Sequence, residues 1–426
     1  MGGAGSPEEK DPCVFPLEKP LRIALVCLHT SPGTDPGAGD AGGMNVVVRH
    51  QAEALGALGH TVTILTRRSS AAQPHRQRLA PRVTLQFLDA GPAVPVSKGE
   101  HEAFIGDFSA ELAALEPYDI IHSHHWFSGM AALPVARTWG IPHVQSFHSI
   151  AAEDGSPLSA GERAESPGRM LGEAWLARES DSLVAISAAE AATISVRLGG
   201  RANRTSTVLP GVDSRLFSPA RLRQPPASAT TDGYVVVAAR LQPLKGLDLA
   251  IHAIAALPQD RRPELVIAGD ASVDYAGYVE ELRQLAEGAG LSDIRFVGAQ
   301  SHANLAELFR GARLVLVPSH SETYGLVALE AAASGVPVVA SAAGGLREAV
   351  VDGITGLVLD SRDPQVWADA MAQILTDPTR AGELAQAARE HALRLDWTRS
   401  AASLVRVYRA LLDEPIEARQ HDRAVA

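Results

Sequence analysis

Pro318-Ser-His-Ser-Glu-Thr-Tyr-Gly-Leu-Val-Ala-Leu-Glu330 is the stretch whose reading decides how this chain folds. Ahead of it runs Leu314-Val-Leu-Val-Pro318, an apolar segment that reads as a buried strand. Beyond it, Leu326 to Ala333 carries a helix-like pattern that Ser334-Gly335 ends. The chain thus passes from a strand end to a helix start, where the N–H groups of about Tyr324 to Leu326 have no intrahelical acceptor. Such an end carries roughly half a positive charge and suits a phosphate. Glu322 and Glu330 bracket that anion site. Carboxylates accept hydrogen bonds from hydroxyls, so a ligand with phosphate in the middle and hydroxyl-rich rings on either side fits, as in a nucleotide sugar. An ordinary strand–loop–helix with two surface acids would show the same pattern.

Working outward, Arg240-Leu-Gln-Pro-Leu-Lys245-Gly246 follows a strand-like Tyr234–Ala239 and places two cations around a proline. Open α/β sheets bind ligands beyond the carboxyl ends of their strands. Fixed cations there can offset the charge that grows on a departing diphosphate. Near the start, Leu21–Leu28 reads as a strand, 29–43 as a loop rich in glycine and proline, and Met44–Leu58 as a helix. This is the phosphate-binding opening of a doubly wound sheet without the G-x-G-x-x-G fingerprint. Gly42-Gly43 would admit a ligand close to the backbone, and a plain tight turn would use them equally well.

Further strands are expected at Thr61–Thr66, Val83–Leu88, Asp119–His122, His143–Phe147, Leu183–Ile186 and Ser206–Leu209. A second set is expected at Leu265–Gly269, Ile294–Val297, Leu314–Val317, Val336–Ser341 and Gly356–Leu359, and Pro364–Leu412 reads as wholly helical. The alternation predicts an α/β protein of two doubly wound, Rossmann-like domains. The expected division is a flexible tail over 1–20, a first domain over 21–215, a linker over 216–233 and a second domain over 234–395. A C-terminal helix and tail fill 396–426.

Two domains are also the default for 426 residues. Apolar residues make up 46% and charged ones 20%, as in a soluble globular protein. A net charge of −11 argues against nucleic acid and anionic membrane as partners, so an anionic substrate must be met by a few local cations. Cys13 and Cys27 give neither a disulfide framework nor metal-ligand spacing, and point to a reducing, cytoplasmic setting. No run approaches 18 apolar residues, and the first twenty residues lack the apolar centre of a secretory signal, so no membrane insertion is expected. Met1-Gly-Gly-Ala-Gly-Ser6 matches the bare myristoylation pattern but reads better as tail.

With these residues in view, the Glu322/Glu330 spacing resembles the E-x7-E signature of retaining glycosyltransferases of family 4, which have the GT-B fold of two Rossmann-like domains facing a central cleft. The resemblance implies that Glu322 holds sugar hydroxyls and Glu330 the ribose. Arg240 and Lys245 match the family's R-x4-K motif, whose members contact the nucleotide diphosphate. Ile121-His-Ser-His-His-Trp126 and Gln145-Ser-Phe-His148-Ser149 fall at strand ends. Their histidines have no carboxylate or cysteine at ligand spacing, so no metal is expected. The family keeps a histidine at the position of His148, which implies that it orients the donor sugar or the acceptor. In family 4 the leaving phosphate itself takes the acceptor's proton.

His29-Thr-Ser-Pro, the 37–45 run containing Asp40, Gly43 and Asn45, and Asp89-Ala-Gly-Pro with Ser97-Lys98 narrow the likeness. They are similar to the mycothiol-pathway subgroup, which transfers N-acetylglucosamine from UDP to an inositol phosphate. Over Leu21–Leu412 this resemblance implies that His29, Asp40, Asn45 and Lys98 face the acceptor. His125, Ser149 and Arg169 then complete its phosphate pocket. Gly43, Arg240, Lys245, Gln300, Glu322, Tyr324, Gly325, Leu326 and Glu330 face a UDP-sugar donor. It further implies small-molecule substrates, no cofactor needed for catalysis, and a homodimer. Taken singly, Lys98 and Arg169 read as surface cations.

The sequence departs from the subgroup at several points. His125 stands for tyrosine, Ser149 for threonine, Gln300 for an arginine near the base, and Val336 for a threonine associated with magnesium. These changes leave the donor side nearly intact. They keep fructose 6-phosphate or a specialised-metabolite acceptor open, as well as a protein that binds nucleotide sugar without turnover.

Overall fold

A computed structural model of the chain describes residues 19–34, 42–152, 166–219, 233–271 and 275–414. The first sheet contains β1 (Arg22–Cys27), β2 (Thr61–Arg67), β3 (Arg76–Ala80) and β4 (Val83–Leu88). It continues with β5 (Ile120–His124), β6 (His143–Ser146), β7 (Ser182–Ala185) and β8 (Thr205–Thr207). Its helices are α1 (Gly43–Ala57), α2 (Ile105–Ala113), α3 (Trp126–Trp139), α4 (Pro167–Glu179) and α5 (Ala188–Leu198). The second sheet contains β9 (Tyr234–Ala238), β10 (Glu264–Ala268), β11 (Ile294–Phe296), β12 (Ala312–Val317), β13 (Val338–Ser341) and β14 (Gly356–Leu359). Around it lie α6 (Leu247–Ala256), α7 (Tyr278–Gly288), α8 (His302–Gly311), α9 (Leu326–Ala333) and α10 (Leu346–Ala349). Three helices end the described chain: α11 (Pro364–Leu375), α12 (Pro378–Ala392) and α13 (Trp397–Asp413).

Both sheets are parallel except at one edge, so helices cover both faces and the strands are apolar runs rather than alternations. The first has the order β3-β4-β2-β1-β5-β6-β7-β8 and the second β11-β10-β9-β12-β13-β14. The direction of winding reverses between β1 and β5 in one, and between β9 and β12 in the other. Parallel sheets open a crevice at such reversals, because the loops on either side leave toward opposite faces. The molecule is therefore a pair of Rossmann-like domains of the GT-B type.

One strand was not expected from the sequence. Arg76–Ala80 is a strand, pairing antiparallel with β4 at the edge of the first sheet. Its Arg-Gln-Arg sequence is exposed and carries no apolar period, which hid it and which suits an edge that must not recruit another strand. The 364–412 region is helical as expected, and it is divided into three helices. Asp363, Asp377 and Asp396 each cap a helix with the side chain, accepting from Gln365, from Thr379 and Arg380, and from Arg399 respectively. Pro364 and Pro378 sit in the first turn, where a missing N–H costs nothing.

α13 returns to the first domain. Its buried stripe, Ser400, Ala401, Leu404, Tyr408 and Leu411, packs with Val48, Ala52 and Leu55 of α1 and the strand residues Ile23 and Leu25. Gln51 Nε2 donates to Ser400 Oγ at 3.1 Å. Deeper in, Ser146 donates its hydroxyl to Val184 O at 2.8 Å and must therefore accept from His122 Nε2–H at 2.9 Å. That fixes the His122 tautomer, and its bare Nδ1 accepts the Tyr408 hydroxyl at 2.7 Å. The two passages between domains run side by side, with Val212 N–H donating to Leu395 O at 3.0 Å. No helix among the described residues is long and apolar enough to cross a membrane.

Tyr408→Phe removes the donor to a fully buried imidazole nitrogen while keeping the ring. We expect it to lower stability by about 1–3 kcal/mol, read as a fall in the thermal midpoint with an unchanged circular dichroism spectrum. An unchanged midpoint would remove the helix-to-sheet bond from the account of how α13 is held.

Candidate active site

The loops at the two reversals face one another across a cleft of about 280 Å³. From the first domain it is lined by His29 after β1, Gly43 and Asn45 at the start of α1, Lys98, His125 after β5, and His148 and Ser149 after β6. From the second come Arg240 and Lys245 after β9, Gln300 before α8, and Glu322, Tyr324, Gly325, Leu326 and Glu330 around the β12–α9 corner. Residues expected from sequence to serve one site are thus brought together from both domains. Arg169 is an exception: it lies behind the lining residues, and Asp40 lies outside the described residues.

At the β12–α9 corner Gly325 adopts φ 104°, a conformation that side chains resist, and a Cβ there would lie 2.5 Å from Leu346 Cδ2. The Tyr324 ring is packed in the core, leaving its main chain at the corner. The first N–H groups of α9 open toward the cleft, with the positive end of the helix behind them. Lys245 Nζ bonds Glu322 Oε2 at 2.7 Å, so a cation suited to phosphate and a carboxylate suited to hydroxyls sit side by side. Arg240 lies over Gly42, where a Cβ would come within 3.1 Å of its Nε. Glu330 is 7% exposed, and burial pushes its carboxyl up to about 8 even with the His302 ring 3.7 Å away. Gln300 turns its Nε2 onto its own loop, donating to Val297 O at 2.6 Å.

His148, with φ 59°, is held from several directions. Its Nε2 pairs with His124 Nδ1 at 2.8 Å, its carbonyl accepts the Thr323 hydroxyl at 2.6 Å, and its N–H faces the Glu190 carboxylate. Burial lowers the His148 imidazole to about 3, so the ring is neutral, and its Nδ1 is buried without a partner. Around the first-domain end, Asn45 Nδ2 donates to Thr30 Oγ1 at 2.9 Å and Ser31 O at 2.8 Å, and its Oδ1 has no partner. Arg169 bonds Glu173 at 2.7 Å and reaches Ser149 Oγ and O, both at 3.0 Å, so it orients Ser149 and adds positive potential. Lys98 opens a 3-10 helix fixed by a Ser97/Glu100 capping box.

Sequence reasoning missed Thr323, which ties the donor corner to His148 across the domains. It also missed Glu190, whose carboxylate accepts the Ile186 N–H at 2.7 Å. The Ser187-x-x-Glu190 pattern signals a helix start, and nothing in it discloses that the same acid faces His148. His302 beside Glu330 carried no local signal at all. Among the described residues there is no group of three or more His, Cys, Asp or Glu that could hold a metal ion.

Comparison with known proteins shows the family and the fold. Residues 220–391 match the family model described as glycosyl transferases group 1, and residues 42–211 match the glycosyl transferase 4-like domain. A D-inositol 3-phosphate glycosyltransferase of Frankia alni is 40% identical over 90% of this chain and 98% of the relative. The protein of the same name from Acidothermus cellulolyticus is 39% identical over 93% of this chain and 91% of its own. Among solved structures, a sucrose-phosphate synthase from Thermosynechococcus elongatus superposes with a TM-score of 0.84 at 28% identity, covering 92% of this chain and 99% of that one.

The Glu330 environment sets a pH dependence. A carboxyl whose folded value is raised from about 4.5 to about 8 holds a proton that the unfolded chain gives up. Its stabilising contribution is full below pH about 4.5 and is lost as pH rises through about 8. We expect Glu330→Gln to raise the thermal midpoint of the ligand-free protein at pH 8.5 and to change it little at pH 4.5. An equal shift at both pH values would contradict this.

Proposed function

The chain belongs to the glycosyltransferase family that includes the D-inositol 3-phosphate glycosyltransferases, and from that premise we propose that it is a retaining enzyme acting in the cytoplasm. In this reading it transfers N-acetylglucosamine from UDP-N-acetylglucosamine to 1D-myo-inositol 3-phosphate. The observation that carries the reading is the single cleft in which Lys245, Glu322, Arg240 and the α9 N-terminus face Lys98, His125 and Ser149 from the other domain.

Each group has a task that its chemistry suits. Glu330 accepts the ribose hydroxyls, the first N–H groups of α9 with Arg240 and Lys245 hold the diphosphate, and Gln300 lies toward the base. Glu322 accepts sugar hydroxyls. Its bond to Lys245 sets a carboxylate suited to sugar hydroxyls beside a cation suited to phosphate. As the sugar–phosphate bond ionises, charge grows on the phosphate oxygens, and the two cations beside the α9 N-terminus would offset it. Gly43 lets the first domain approach the donor closely. His148 presents its Nδ1, and Lys98, Ser149, His125, His29, Asn45 and Asp40 receive the acceptor.

Retention is supported by the distribution of acids and bases. The carboxylates among the described lining residues, Glu322 and Glu330, both come from the donor domain. The imidazoles of the acceptor side are pushed far below neutrality and make poor general bases. The departing phosphate oxygen is then the best-placed group to take the acceptor proton, on the face from which it leaves. The likeness to a sucrose-phosphate synthase supports a second acceptor, fructose 6-phosphate, which the same phosphate pocket would receive.

A donor-by-acceptor screen read by mass spectrometry, with inositol 3-phosphate, fructose 6-phosphate and free inositol side by side, tests the assignment. We expect Lys245→Ala and Glu322→Ala to lower kcat by about 100-fold or more, with the fold retained. Near-normal turnover in either sinks the donor site. Lys98→Ala should raise the acceptor KM by roughly 10- to 100-fold and leave the donor KM in place, and an unchanged acceptor KM would mean that no phosphate is bound there.

A further inference from the structure

His125 is buried to 2% exposure and lines the cleft, yet neither of its ring nitrogens has a hydrogen-bond partner. An imidazole carries two polar atoms, and leaving both unmet in a buried place costs free energy that a bound ligand can recover. Its backbone is strained as well: φ 70° and ψ 155° is a region populated almost only by glycine. The strain delivers the ring to the first domain's winding reversal, where the His29 ring lies 4.3 Å away with its own Nδ1 unmet. A strained, unsatisfied imidazole at a crevice mouth is placed for a ligand rather than for packing.

The titratable and charged groups around His125 come from every neighbouring element. His29 stands after β1, Lys98 and His101 on the 3-10 helix, His148 after β6, and Arg169 with its partner Glu173 on α4. Burial first, then His29, Lys98, Arg169 and His148, keep His125 neutral. Among the described residues the groups that act on its charge are thus cations and imidazoles, and Glu173 is paired to Arg169.

We propose that His125 is a specificity-determining residue that takes up a proton from solvent as a phosphate dianion enters the acceptor pocket, so that the phosphorylated acceptor binds as a complex with imidazolium. The inference rests on the reading of this end of the cleft as the site for a phosphorylated polyol. A dianion against the ring reverses the local balance: a unit charge at hydrogen-bond distance in a partly desolvated site moves a proton equilibrium by several powers of ten. His29, its ring tilted against His125 with centroids 4.3 Å apart, stays neutral, because a second charge at that distance would be repelled. The uptake is therefore one proton. A neutral polyol brings no charge and no proton, so discrimination for the phosphorylated acceptor is strongest at low pH. It declines by about tenfold per pH unit as pH rises from the phosphate's second ionisation, at about 6, toward the midpoint of the bound imidazolium, and levels off above that midpoint.

Calorimetric titration of the full chain with 1D-myo-inositol 3-phosphate in the presence of UDP, in two buffers of different ionisation enthalpy at pH 7, counts the protons. We expect about one proton taken up by the wild type, none with free inositol, and none with His125→Asn, asparagine being among the residues that best tolerate positive φ. His125→Tyr, which can donate without gaining charge, should bind with a flat pH profile between pH 6 and 8.5. Binding without proton uptake in the wild type overturns the inference and leaves the acceptor assignment standing. So does an uptake that persists in both variants, since the proton would then reside on the phosphate or on another ring. Absence of any inositol phosphate binding, with UDP binding intact, overturns the inference together with the acceptor reading beneath it.

Discussion

The turn from β12 into α9 constrains everything else in the cleft. The chain must leave a buried strand and start a helix within a few residues, and it does so through Gly325 in a left-handed conformation pressed against Leu346. That turn fixes where the first N–H groups of α9 point. It also fixes the spacing between Glu322, before the corner, and Glu330, a turn into the helix. Lys245 reaches the same point from the neighbouring strand end because β9 and β12 are adjacent in the sheet. Adjacent strands wound in opposite directions are what allow a cation from one loop and a carboxylate from the other to meet over a single anion site.

His148 is the counterpart in the first domain, and its surroundings join the two halves. Thr323, next to Glu322, donates to the His148 carbonyl, so the β12–α9 corner also grips the loop after β6. A second tie lies nearby: the Glu348 carboxylate accepts the N–H groups of Ala188 and Ala189, both at 2.9 Å, at the start of α5. An acid from one domain thereby caps a helix of the other, where its charge meets the positive helix end. The two sides of the cleft are held together by these hydrogen bonds and by α13 against α1. Apolar burial lies mostly within each domain.

The two sides of the cleft differ in kind. The β12–α9 corner is built of main-chain groups and the Lys245–Glu322 ion pair, whereas the first-domain side gathers imidazoles that burial keeps neutral beside Lys98 and Arg169. The chain's overall charge of −11 makes this local concentration of cationic and ionisable groups the more specific.

Local sequence determined the strands, the helix after Gly325 and the identity of the facing groups, because apolar period, glycine and proline act over a few residues. The strand limits of Val83–Leu88 and Gly356–Leu359 and the helix Leu326–Ala333 were legible to the residue. The edge strand Arg76–Ala80 was not, since an exposed polar strand bears no period, and the breaks before Pro378 and Trp397 were masked by strong helical character on both sides. Only the tertiary structure decided that Thr323 would bond His148 and that Arg169 would stand behind Ser149 rather than line the cleft. It alone also buried Glu330 deeply enough to hold a proton. Those outcomes depend on distances between segments far apart in the chain and on how much water the packed domains exclude, and neither quantity is written in any single stretch of sequence.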